Sequence, residues 1–132
     1  MGLKMMIMLL LAALGVSFGT MPGSLYNVSE NDPGVQQAIL SGIYSFNNQS
    51  NDAFLFKPFA IDSAQRQIVN GIRYVIDLKI SRTVCHKRDD DNLSKCDFQP
   101  KGPLQQTFQC HCDIWVRPHE SKTMIEAFDC KP

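Results

Sequence analysis

One segment of this chain has helical periodicity, and everything after it alternates like β-strand. Val35, Ala38, Ile39, Gly42, Ile43 and Phe46 recur at i, i+3, i+4, i+7, i+8 and i+11, which lays one apolar stripe along a helix of about four turns. Asp32 is placed to cap its start, and Pro33 occupies the first helical position, where a missing N–H costs nothing. The polar cluster at 47–52 is expected to end it. Gly42 in mid-helix costs roughly 1 kcal/mol against alanine, and a helix lying close on a sheet would account for it.

Downstream, period-two alternation predicts strands over 53–66 (bent at Pro58), 72–85, 104–116 and 122–128. In the second, Ile72, Tyr74, Ile76, Leu78 and Ile80 share one face, while Arg73, Asp77 and Lys79 share the other. Gln67-Ile68-Val69-Asn70-Gly71 joins the first two as a hairpin, residues 86–103 form a long polar loop, and 117–121 form a turn. One amphipathic helix followed by a meander has one natural packing. The expected fold is therefore α+β, with a single N-terminal helix wrapped by a curved antiparallel sheet of four to five strands, burying Val35, Ile39, Ile43 and Phe46.

Residues 1–19 read as a secretory leader, with Lys4 before an apolar run from Met5 to Val16 and a small-x-small end at Ser17-Phe18-Gly19. The run is shorter than the roughly 20 residues of a membrane span. One domain is expected over 20–132, exported and without a membrane span. The balance of 13 basic and 13 acidic residues offers no basis for nucleic-acid binding. Asn27, Asn48 and Asn92 each open an Asn-x-Ser triplet and become N-glycan acceptors in an exported chain.

Five cysteines, at 85, 96, 110, 112 and 130, cannot all pair within one chain. Cys85 and Cys96 flank a turn-rich segment and could close it. Either Cys110 or Cys112 would then join Cys130, each bridge contributing on the order of 3 kcal/mol. In a strand Cys110 and Cys112 share a face and His111 takes the other, which is poor geometry for one tetrahedral metal site. No metal, cofactor or activated nucleophile is called for, so the chain is not read as an enzyme.

With the Gln-x-Val-x-Gly spelling of residues 67–71, the helix order and the cysteine spacing, the chain resembles the secreted type 2 cystatins, inhibitors of papain-like cysteine proteases. Asn31 to Val35, Phe46-Asn47-Asn48 and Cys96-Asp97-Phe98-Gln99 look most like the leukocyte, or F, subtype. The resemblance implies bridges Cys85–Cys96 and Cys110–Cys130, leaving Cys112 free. It also implies a three-part wedge for the cleft of a cathepsin: Met21, Pro22 and Gly23; Gln67, Ile68, Val69, Asn70 and Gly71; and a turn at Pro118 and His119. A rigid hairpin tip fills such a groove without offering a carbonyl to the thiolate, and its rigidity cuts the ordering cost of binding.

The chain departs from the family pattern in three places and matches it in one more. His119 stands where the family has tryptophan, and Trp115 is expected in the core or on a sheet face rather than as its substitute. Ser24 replaces a second glycine after Gly23, and only a short arm precedes it. Gln49 stands where the F subtype carries an extra cysteine, so a monomer is expected, with dimerisation through Cys112 or domain swapping as the other routes. Ser50-Asn51-Asp52 matches a loop through which some type 2 cystatins inhibit legumain-like proteases, which makes Asn51 a second candidate contact. The alternative function is a secreted cystatin-fold binding module with weakened inhibition, favoured by His119. The location implied is extracellular or endolysosomal.

Overall fold

The computed structural model describes residues 23–89 and 92–132. The leader and the arm residues Met21 and Pro22 lie outside that range. Helix α1 spans Pro33–Gln49. The Asp32 carboxylate accepts from the amides of Gly34 (2.9 Å) and Val35 (3.2 Å), satisfying two of the free N–H groups at the helix start. The helix ends inside the polar cluster at 47–52, as expected. It runs to Gln49, because Asn47 is buried and its side chain brackets one residue of the sheet: Oδ1 accepts from Phe56 N (2.9 Å) and Nδ2 donates to Phe56 O (2.9 Å).

Five strands form one antiparallel meander in sequence order: β1 Tyr26–Asn27, β2 Phe54–Ile68, β3 Ile72–His86, β4 Thr107–Arg117 and β5 Lys122–Lys131. β1 was not foreseen, being two residues long with no alternation to read; it pairs Tyr26 with Arg66 and Asn27 with Gln65. β4 starts three residues later than expected, since Leu104 is half exposed and its carbonyl accepts from Arg82 Nη1 (2.6 Å). β5 continues past Phe128 because Cys130 pairs in register with Cys110. The segment after β3 is less loose than a plain loop: Val84 N donates to Asp97 O (2.9 Å) and Gln99 Nε2 to Thr83 O (3.0 Å).

The helix packs on the face that carries Tyr74, Ile76, Leu78, Ile80, Cys110, Cys112 and Ile114, all buried. A carbon added at Gly42 would fall 2.7 Å from Phe128 Cε2 and 3.1 Å from Ile114 Cδ1, so any larger residue here would have to displace side chains of the sheet, which accounts for a glycine in mid-helix. Phe46 closes the far end, edge-on to Phe56 with centroids 5.4 Å apart. Period two holds in β3 from Tyr74 to Ile80 and changes phase at buried Ser81. In β2 it is broken by register shifts at 54/56, 58/60 and 61/63. The bridges are Cys85–Cys96 and Cys110–Cys130. Cys112 is free and 0 % exposed, facing Ile76 and Phe128 under the helix, which argues against the dimerisation route through its thiol.

Candidate functional site

Ile68 and Ile72 are the closing pair of the β2–β3 hairpin, leaving Val69, Asn70 and Gly71 as its tip. Asn70 has φ 49° and Gly71 φ 118°, and Val69 N donates to Gly71 O (3.1 Å). Asparagine tolerates the first conformation; the second is glycine's. Gly71 is confined sterically as well, for a carbon added there would meet Val116 O at 2.8 Å and Trp115 Nε1 at 2.9 Å. With its base so held, the tip presents Ile68 (53 % exposed) and Val69 (44 %) to solvent.

Gly23 lies against this tip. Its φ is 103°, and a carbon added to it would stand 3.1 Å from Val69 Cγ2. Its carbonyl accepts a hydrogen bond from Gln67 Nε2. On the other side, Val116 pairs with Ile72, and the chain leaves β4 through Arg117 into an exposed single turn, Pro118–Glu120, that holds His119. Gly23, Gln67 to Gly71 and the start of the Pro118 turn thus gather at one end of the sheet, the first two in direct contact. Trp115 does not replace an indole at 119. It lies on the sheet face opposite the helix, across from Arg73, under the Arg117 guanidinium (4.5 Å to the ring centroid), and its buried Nε1 has no hydrogen-bond partner among the described residues.

Sequence reasoning missed the network behind Gln67. Arg73 Nη1 donates to Gln67 Oε1 (2.9 Å), while its Nε (2.9 Å) and Nη2 (2.6 Å) grip the Asp113 carboxylate. The sequence signal was the polar face of β3; its partner is 40 residues away and visible only through the β3–β4 register.

Asn51 sits beyond the opposite end of β2, exposed, between two fixed neighbours. Ser50 Oγ accepts from Asp52 N (2.9 Å), and the Ser50 carbonyl accepts from Lys87 Nζ. Asp52 accepts from Phe54 N (3.0 Å) and from Arg82 Nη2 (2.6 Å). Burial works against the Asp52 charge, but Arg82, the Phe54 amide and Lys87 outweigh it and hold the carboxyl below its usual range. Asn27, Asn48 and Asn92 are all exposed. His111 points away from both neighbouring cysteines and meets Asp77 Oδ1 at 2.7 Å, as strand alternation requires. No described helix is long and apolar enough to cross a membrane.

Comparison with known proteins agrees with the fold. The family profile described as the Cystatin domain matches residues 23–119. Human cystatin-F is 43% identical over 97 residues, covering 74% of this chain and 67% of that protein. Bovine cystatin-C is 31% identical over 120 residues, covering 91% and 80%. Among solved structures, dimeric human cystatin F superposes with a TM-score of 0.79 at 38% identity, over 85% of this chain and 89% of that one. The chain belongs to the cystatin family, whose members inhibit cysteine proteases and are not themselves enzymes.

Proposed function

We propose that this chain is a reversible, tight-binding inhibitor of papain-like cysteine proteases of the cathepsin type. It occludes the cleft with the arm at Met21, Pro22 and Gly23, the tip Gln67, Ile68, Val69, Asn70 and Gly71, and the turn at Pro118 and His119. The observation that carries the reading is the meeting of Gly23 with an exposed apolar tip: a carbon added at Gly23 would stand 3.1 Å from Val69 Cγ2, and the Gly23 carbonyl accepts a side-chain hydrogen bond from Gln67. Exposed Ile68 and Val69 supply the apolar contact with the groove, and the αL and glycine backbone at 70 and 71 keeps the tip's own carbonyls from lying along it as a substrate would. With imidazole at 119 in place of indole, the tip and arm carry more of the binding. Titration of a fixed amount of papain tests this. Stoichiometric loss of activity with the inhibitor intact on a denaturing gel is expected; cleavage between 67 and 71, or undiminished activity at micromolar inhibitor, would refute it and favour the binding-module alternative.

A second site for legumain-like asparaginyl proteases is supported by exposed Asn51, whose neighbours Ser50 and Asp52 are both tied down. A pinned loop presenting one asparagine suits an enzyme that selects that side chain. Asn51→Lys separates the readings: legumain inhibition should vanish while papain inhibition stays, and equal inhibition by both forms would remove Asn51 from the mechanism. The leader supports export, with glycans on exposed Asn27, Asn48 and Asn92, to an extracellular or endolysosomal destination. We read the exported form as a monomer, since Cys112 is enclosed; human cystatin F has been solved as a dimer, and domain swapping remains the route open here.

A further inference from the structure

We propose that Arg73 is a positioning residue for inhibition: clamped by Asp113, it sets the orientation of the Gln67 carboxamide, which in turn fastens the arm at Gly23 beside Val69. This deepens the inhibitory reading above and rests on it.

The chemistry of each partner leaves one arrangement. A carboxamide has an acceptor end and a donor end, and turning it over exchanges them. Arginine can only donate, so it must face Gln67 Oε1, and it does so at 2.9 Å. The Gly23 carbonyl can only accept, so it must face Nε2, which bonds it. The reversed amide would set N–H against N–H and oxygen against oxygen. Arg73 performs this selection only if its own plane is fixed, and Asp113 fixes it: Nε lies 2.9 and 3.1 Å from the two carboxylate oxygens and Nη2 2.6 Å from one of them. Nη1 is the terminal nitrogen left for Gln67. The geometry follows from the sheet, since Gln67 and Arg73 are register partners across the hairpin and Asp113 comes from the neighbouring strand.

The consequence is a Gly23 carbonyl held by a hydrogen bond whose donor is aimed from across the sheet. Holding the arm before the protease arrives removes part of the ordering cost of the complex. Lysine at 73 would keep the positive charge and the pairing with Asp113. It lacks the planar fork that serves two partners in fixed directions.

The experiment is a double-mutant cycle on the full exported chain, with papain as the probe enzyme. Arg73→Lys is expected to weaken inhibition about tenfold in the native background and less than about twofold in the Gln67→Ala background, because the coupling runs through Gln67. Gln67→Glu keeps a partner for Arg73 but turns a carboxylate on the Gly23 carbonyl, and should inhibit no better than Gln67→Ala. NMR gives a readout that general loosening would not move: the Gln67 carboxamide protons are expected to be slow to exchange in the native chain and fast in Arg73→Lys, with the remaining shift dispersion unchanged. The same loss factor in both backgrounds, or Gln67 protons indifferent to residue 73, would overturn the proposal. A native chain that leaves papain fully active defeats the inhibitory reading instead, and the carboxamide exchange then decides whether Arg73 positions Gln67 at all.

Discussion

Gly71→Ala puts a methyl group where the backbone and its neighbours both refuse one. The φ of 118° is a conformation that L-residues avoid, at a cost of about 1–3 kcal/mol. The methyl would also lie 2.8 Å from Val116 O, and that carbonyl cannot step aside freely because Val116 is held in the β3–β4 ladder opposite Ile72. Overpacking of this kind costs about another 1–3 kcal/mol. The smaller unfolded-state entropy of alanine returns about 0.4–1 kcal/mol. If the tip keeps its shape, the net loss is about 1–5.5 kcal/mol, or a melting temperature lower by about 4–22 °C for a domain of this size. If the tip gives way instead, melting changes less and the distortion appears as weaker inhibition, because Val69 and Gly23 move with it. Thermal denaturation and papain titration on the same preparation therefore have to be read together. A variant that melts within about 2 °C of the native chain and inhibits equally well would refute the argument that this glycine is imposed by conformation and contact.

Asn47→Ala strips Phe56 N–H and C=O of their partner at a buried site, and urea unfolding should register a loss of about 2–4 kcal/mol; a loss below about 1 kcal/mol would mean those groups find water. Cys112 should ignore a thiol reagent at pH 8 in the native state and react on unfolding, since burial, then Asp77 and Asp113, push it from 9.0 up to about 12. The folded chain therefore keeps a proton that the unfolded chain releases, so stability should fall between about pH 9 and pH 12, by about 1.4 kcal/mol per unit for this group, and Cys112→Ala should lack that share of the slope. Identical alkaline slopes in the two proteins would count against it. His119→Trp should tighten papain inhibition by about 1–3 kcal/mol, measured as the inhibition constant, while an unchanged or weaker constant would show that residue 119 lies off the protease.

Periodicity was a sound guide wherever one side of an element is buried and the other wet, as along Val35 to Ile43 and Tyr74 to Ile80. It was silent on Asn47, a polar residue that lies inside because both ends of its amide are matched by backbone, an arrangement with no signature in the local sequence. Alternation could not choose between Cys110 and Cys112, as both face the helix. Register makes the choice, setting Cys110 opposite Cys130 and Cys112 opposite Phe128. Gln67 to Gly71 could be read at once because five adjacent residues spell it. The support for Gln67 could not, because it is assembled from three strands.

The side of β2 that faces away from β3 has a further consequence. β1 covers it only at Gln65 and Arg66, so much of a fifteen-residue strand has a flank to which another chain could add itself. The protein interrupts that flank at intervals. Val28 N takes the Ala64 carbonyl, Pro58 offers no N–H, the register shifts break the straight run, and Asn47 occupies both polar groups of Phe56. The side chain that fastens the helix thus also denies a template to neighbouring molecules. Resistance to edge-to-edge pairing, the first step of fibril formation, would rest in part on one asparagine amide.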